Sequence, residues 1–105
     1  MVNPKYQEIL KLHMMLLEKE IPHDILRDCD GWHISYPCTG LDRVLSAVEF
    51  KGTYGAEKDL IEIMGLLTPE ELLMDSIKGY LTAENVFDRI KRHYEEHMEG
   101  EKSNG

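Results

Sequence analysis

The chain has 105 residues, of which 42% are hydrophobic and 30% are charged, a balance that fits one folded domain and excludes a disordered chain. Its 20 acidic and 12 basic residues give a formal net charge of -8. This charge argues against direct nucleic acid binding, because affinity for the phosphate backbone comes from cations that displace counterions. No apolar run approaches the ~20 residues of a membrane-spanning helix, and the first residues lack the basic and apolar parts of a signal peptide. We therefore expect a cytoplasmic protein without membrane contact.

The first predicted element is an amphipathic helix from about Pro4 to Lys19. Asn3 supplies a capping side chain, and Pro4 occupies the first helical position, where its missing N–H costs nothing. Apolar residues then recur at helical spacing and form one stripe. The stripe consists of Tyr6, Ile9, Leu10, His13, Leu16 and Leu17.

The segment HDILRDCDGWHISYP predicts a β-hairpin with Asp30-Gly31 as its two-residue turn. The pairs on its largely apolar face are Cys29–Trp32, Arg27–Ile34 and Ile25–Tyr36. The other, wet face carries Leu26, Asp28, His33 and Ser35, with Glu49 and Glu62 nearby. Asp28 and His33 are expected to lie opposite each other. Cys29 and Cys38 fall at opposite ends of one strand, ~20 Å apart, so we expect two free thiols, which suit a reducing cytoplasm.

The second half of the chain predicts three more strands and two helices. Alternation in residues 44–50 indicates a third strand, LIEIM a fourth, and SIKGYL a fifth at the sheet edge. Thr68-Pro69-Glu70-Glu71 is a capping box that begins a short helix to about Met74. Thr82 caps the last helix, which ends at Gly100. The apolar stripe of that helix is Val86, Phe87, Ile90, His93, Tyr94 and His97.

This order of elements predicts an α+β fold. An antiparallel sheet of four to five strands has an N-terminal and a C-terminal helix packed on one face, and its other face is wet. Residues 1–98 form the single domain, and residues 99–105 form a frayed tail.

Two polar patterns invite a catalytic interpretation, and we favour a structural one for each. HYEEH, residues 93–97, matches the H-x-x-E-H string of inverted zinc peptidases, but such a site needs a third protein ligand that does not follow. His93 and His97 are interpreted as the edge of the packing stripe, near the negative end of the helix. Ser35, His33 and Asp28 lack a nucleophile elbow and oxyanion donors, so cross-strand pairing explains them better. We predict no catalytic residue, no metal site and no cofactor.

The candidate binding segment is KGTYGAEKD, residues 51–59. Its two glycines permit positive φ, and successive N–H groups in such a turn can converge on an anion. The alternative is a plain connection between two strands, although loops of this length are often functional. Tyr54 lies between the glycines, is hard to bury, and should be displayed as a binding anchor. The predicted partner- or ligand-binding residues are Arg43, Lys51, Gly52, Tyr54, Gly55, Glu57, Lys58, Asp59 and Glu62.

The stretches GTYGAEKDLIEIMGLLTPEE and GYLTAENVFDRIKRHY resemble small uncharacterised proteins encoded by phages and prophages of Firmicutes. The similarity covers most of the chain from Gly31 to Tyr94. It implies a small accessory protein made during infection and supplies no catalytic residues. By analogy, small acidic phage proteins of this kind often inhibit host defence, either as anti-CRISPR proteins or by sequestering immune nucleotides.

We therefore expect a non-enzymatic binding protein that occupies a host protein with a basic surface, such as a CRISPR component. The alternative is an oligomeric small-molecule binder that sequesters a nucleotide immune signal, cyclic or not, at the glycine loop, between subunits. That alternative predicts a cluster of Arg43, Lys51 and Lys58.

Overall fold

A computed structural model describes residues 5–28 and 31–99 of the chain. It has an open five-stranded antiparallel sheet and three α-helices, which confirms the predicted α+β fold. The elements are α1 (Gln7–Glu18), β1 (Asp24–Asp28), β2 (Gly31–Tyr36), β3 (Leu45–Glu49), a 3₁₀ turn (Ala56–Lys58), β4 (Ile61–Met64), α2 (Pro69–Met74), β5 (Ile77–Leu81), α3 (Ala83–His93) and a π-helical turn (Tyr94–Glu99). The strands follow one another across the sheet in chain order. None of the helices in the described ranges is long and apolar enough to cross a membrane.

The core lies between the sheet and two of the helices. Ile34, Ala47 and Ile63 are neighbours across β2, β3 and β4, and all three are fully buried. Helices α1 and α3 contact each other and add their apolar stripes to the same cluster. The buried helical residues in that cluster are Ile9, Leu12, Leu16, Ala83, Val86, Phe87 and Ile90. Alternating strand residues and the helical stripes therefore build one core. The stripe of α1 differs from the predicted one, because Leu12 is buried and Leu17 is 51% exposed.

The hairpin register is the main correction to the sequence prediction. Asp28 pairs with Gly31, and Leu26, not Asp28, lies opposite His33. The register is shifted by two residues from the predicted one, so Ile25 faces Ile34 and Arg27 faces Trp32. The predicted turn residue Asp30 and the predicted pairing of Cys29 lie outside the described residues. The reason is Gly31. A Cβ there would overlap the main chain of Glu49, so this glycine permits the close approach of β3 and does not form the turn.

The first helix begins at Gln7 and is capped from another part of the chain. Tyr6 precedes it with φ at 68°. The main-chain N–H groups of Tyr6 and Gln7 donate to the two carboxylate oxygens of Asp59, the second over 3.0 Å. The predicted cap Asn3 and the predicted first residue Pro4 lie outside the described residues. In the described part of the chain, the carboxylate of Asp59 thus satisfies the N–H of the first helical residue and that of the residue before it.

The short helix α2 is fixed at its N-terminal end. Thr68 and Glu71 form the predicted capping box. The Glu71 carboxylate also accepts two hydrogen bonds from Arg89 of α3, each 2.8 Å long, and Arg89 donates a third to the carbonyl of Leu66. The Arg89 guanidinium and the Thr68 N–H hold the pKa of Glu71 low, at about 2. A bidentate ion pair of this kind sets the position and direction of the helix.

Candidate functional site

The glycine loop, residues 51–59, has a defined conformation between β3 and β4. Gly52 and Gly55 have φ of 100° and 101°, as their predicted role requires. Thr53 is buried, and its hydroxyl donates to the carbonyl of Phe50 over 2.9 Å. The 3₁₀ turn Ala56–Lys58 follows at once. These local contacts give the loop a defined conformation from which side chains can be presented.

The loop also packs against the edge strand β5. The N–H of Tyr54 donates to Glu62 over 2.8 Å, and its carbonyl accepts from the N–H of Tyr80 over 3.2 Å. The β4–β5 register shifts between Ile61 and Ile63, which marks a bulge. The adjacent Gly79 has no room for a Cβ, because Tyr54 lies directly against it. One main-chain hydrogen bond to β5, the carboxylate of Glu62 and the contact with Gly79 therefore hold Tyr54 in place.

Two tyrosines project together from this junction, and we call Tyr54 and Tyr80 the tyrosine pair. Each is 52% exposed. Tyr80 has φ at 60°, in the left-handed region, and its hydroxyl donates to Glu57 over 2.9 Å. That hydrogen bond and the charge of Glu57 raise the pKa of Tyr80, while a backbone N–H and the Tyr80 hydroxyl lower the pKa of Glu57. The sequence placed Tyr80 only in an edge strand and gave no sign of a positive φ at that position.

An open pocket of about 620 Å³ borders the tyrosine pair. The lining residues are Lys5, Tyr6, Lys51, Gly52, Thr53, Tyr54, Ala56, Glu57 and Tyr80. Two lysines and three tyrosines thus share one cavity in a protein whose net charge is strongly negative. Such a surface can stack on flat groups and attract an anion.

The structure brings together only some of the predicted site residues. Those that line the pocket are Lys51, Gly52, Tyr54 and Glu57. Glu62 of β4 accepts a hydrogen bond from the Tyr54 N–H, and Gly55 lies against the main chain of Tyr80. Lys58 is exposed on the 3₁₀ turn and does not line the pocket, and Asp59 is engaged with α1.

Arg43 lies apart from these residues. It precedes β3, whereas the loop follows it. A five-residue strand is about 17 Å long, so Arg43 is at the opposite end of the sheet from Lys51 and Lys58. The predicted cluster of these three cations is not formed. The second cation of the pocket, beside Lys51, is Lys5 of the N-terminal segment. The sequence could not predict this, because the contact with Asp59 that brings the segment to the loop is long-range.

Beneath the loop lies a buried carboxyl group that the sequence placed on the wet face. Glu49 belongs instead to the core face of β3, together with Leu45 and Ala47, and is 0% exposed. No described residue donates a hydrogen bond to either of its carboxylate oxygens. Burial, and then the neighbouring carboxylate of Asp59, raise the pKa of Glu49 to about 8. At neutral pH the group is therefore mostly protonated and can donate its proton to Asp59. The alternation of Leu45, Ala47 and Glu49 along the strand was the sequence signal that could have placed Glu49 on the core face.

The polar patterns considered for catalysis have structural partners. His33 Nε2 lies 2.7 Å from the Ser46 hydroxyl and 3.5 Å from that of Ser35, which is buried. His93 Nδ1 lies 2.7 Å from the hydroxyl of the core residue Tyr36, and its ring stacks on His97 at 4.4 Å. Within residues 5–28 and 31–99, no three histidine, cysteine or acidic side chains are grouped as a metal site requires.

Comparison of the chain with protein-family models, with curated proteins and with solved structures gives no match.

Proposed function

We propose that this chain is a non-enzymatic binding protein that contacts a basic surface of another protein. The observation that carries the proposal is the tyrosine pair. The main chains of two half-exposed tyrosines are joined by one hydrogen bond and by the close approach of Gly79 to Tyr54. Rigid, exposed tyrosines are frequent anchors in protein interfaces, because they bury a large area at a small cost in side-chain entropy.

Charge supports a basic partner. The carboxylates of Glu57 and Glu62 each bond one member of the tyrosine pair, the first at the Tyr80 hydroxyl and the second at the Tyr54 N–H. The formal net charge of the whole chain is -8. Lys5 and Lys51 also border the tyrosine pair, so the acidity that speeds encounter with a basic surface and disfavours acidic partners is that of the whole chain.

The resemblance to phage and prophage proteins would make the partner a host protein. A protein of a defence system that holds nucleic acid, such as a CRISPR effector, exposes a basic groove that an acidic protein can occupy. On this proposal the protein inhibits by occupying that groove, and no chemical step is involved.

The test is capture of the partner by immobilised protein from a lysate of the bacterial host, followed by affinity measurement. We expect Tyr54→Ala to weaken binding by at least about tenfold and to leave the melting temperature nearly unchanged, because the ring is half exposed. Leu41→Ala is the matched control, since Leu41 is fully exposed in the loop that precedes β3. Equal affinity of Tyr54→Ala and the unaltered chain would contradict the proposal.

A second candidate function is the capture of an anionic, aromatic small molecule such as a cyclic nucleotide. The observation that favours it is the presence of Lys5 and Lys51 in one pocket with the tyrosine pair. The site would be completed by a second copy of the chain if the protein is oligomeric.

Thermal denaturation with a panel of nucleotides tests this second function. A ligand present at 100 times its dissociation constant stabilises a protein by about 2.7 kcal/mol. We expect Lys51→Gln to reduce the shift and Arg43→Gln, far from the pocket, to leave it intact. If no nucleotide raises the melting temperature, this function is excluded.

A further inference from the structure

The apolar end of α2 is unusually exposed. None of the residues of this helix is buried, and Leu72, Leu73 and Met74 are 57%, 86% and 87% exposed. The polar end of the same helix is fixed by the capping box and by Arg89. Three consecutive large apolar residues are therefore held outward on an anchored helix, and clustered apolar exposure of this kind marks interaction sites.

A groove of about 450 Å³ lies beside this apolar surface and shares Met74 with it. Met74 of α2 and Ile77 of β5 line one part of it, and the tyrosine pair lines another. Met64, the neighbour of Ile77 across the β4–β5 ladder, is also exposed. The groove thus joins the α2 face to the surface on which the proposed function rests.

The border of the groove is acidic. Glu70, Glu71 and Asp75 line it together with Lys78. The charge of Glu71 is already paired with Arg89, so among the described residues Glu70 and Asp75 supply the unpaired acidic charge of the border. Glu57 adds a further carboxylate beside Tyr80. A second copy of this chain would bring two acidic borders together, which costs free energy. A basic segment would meet opposite charge on the border and apolar side chains in the middle.

We propose that the exposed face of α2 and the groove beside the tyrosine pair bind a short basic segment of a partner protein that carries large apolar side chains. This inference rests on the proposed function and names the chemistry of the partner. Apolar side chains of the segment would cover Leu73 and Met74, and lysines or arginines beside them would face Glu70 and Asp75. Recognition of an amphipathic segment in a hydrophobic groove is a recurrent mode of protein association.

The probe is a synthetic amphipathic peptide of leucine and lysine, about 14 residues long, titrated into the isotope-labelled full chain and followed by amide NMR shifts. We expect shifts in α2, in residues 77–80 and at Tyr54. The double variant Leu73→Ser, Met74→Ser should bind at least about tenfold more weakly, with an unchanged melting temperature because both side chains are exposed. Met14→Ser, which alters an exposed apolar residue of α1, is the control and should bind normally.

Three results would overturn this inference. The first is equal binding of the peptide by the double variant and the control. The second is equal binding of a peptide that carries glutamate in place of lysine. The third is a dimer, seen by sedimentation, that the double variant dissociates, because a second copy would then be the occupant. If Tyr54→Ala releases the captured protein but the double variant does not, the proposed function stands and this docking surface does not.

Discussion

Replacing Glu49 with glutamine is expected to stabilise the protein, on the order of 2 to 4 kcal/mol at pH 8. Glu49 is fully buried, no described residue donates a hydrogen bond to its carboxylate oxygens, and the Asp59 carboxylate is its neighbour. An ionised carboxylate in that position is unfavourable. Glutamine keeps the size of the side chain, carries no charge, and can donate its amide hydrogens to Asp59. The measurement is denaturant unfolding at several pH values.

The pH dependence has a definite sign. The pKa of Glu49 is about 8 in the folded protein, against 4.5 for an ordinary glutamate. Between these values the folded state binds more protons than the unfolded state, so the free energy of unfolding falls as the pH rises from about 4.5 to about 8. Glu49→Gln should flatten this decline. Glu70→Gln, an exposed carboxylate at the border of the groove, is the control and should retain it. An identical pH profile for Glu49→Gln and the unaltered chain would contradict a buried Glu49.

Replacing Gly79 with alanine is expected to displace the glycine loop and to abolish presentation of the tyrosine pair. A Cβ at position 79 would overlap the Cβ and the carbonyl of Tyr54. The loop and β5 must therefore move apart, and the hydrogen bond from the Tyr80 N–H to the Tyr54 carbonyl is lost. Overpacking of this kind costs about 1 to 3 kcal/mol. Unfolding measurements give the cost, and amide NMR shifts of residues 52–57 report the displacement.

Gly40→Ala is a suitable comparison for this variant. Gly40 has φ at 116°, so an alanine there is strained, but the space around it is open. We expect a loss of about 1 kcal/mol from the backbone conformation alone, without any shift at the loop or effect on binding. If Gly79→Ala keeps the loop shifts and the stability of the unaltered chain, the contact between Tyr54 and β5 does not fix the site.

The features that the sequence predicts well are those whose physical cause is local. Thr68 caps α2 through a neighbour three residues away, and Thr82 likewise caps α3, so both helix starts are readable from short motifs. Gly52 and Gly55 adopt the positive φ expected of them. The exposure of Tyr54 follows from its position between these glycines.

The features that the sequence does not predict have long-range causes. Gly31 was interpreted as a turn residue, but the main chain of β3 determines its role. The left-handed conformation of Tyr80 depends on a bulge that only the pairing of β4 with β5 creates. The α2 motif predicts a helix, yet whether its leucines are covered depends on where neighbouring elements lie. Charge clustering has the same limitation, since Arg43 and Lys51 are eight positions apart in the chain and lie at opposite ends of one strand.

Asp59 makes the glycine loop and the first helix depend on each other. Its carboxylate satisfies the opening N–H groups of α1, while its own backbone, with φ at 62°, forms the exit from the 3₁₀ turn. If the loop that carries Asp59 moves away, α1 loses its cap. If the first turn of α1 unfolds, the loop loses the hydrogen bonds that restrain Asp59. The N-terminal segment therefore helps to restrain the loop that carries Tyr54, so the exposed tyrosine of this loop is positioned in the unbound protein.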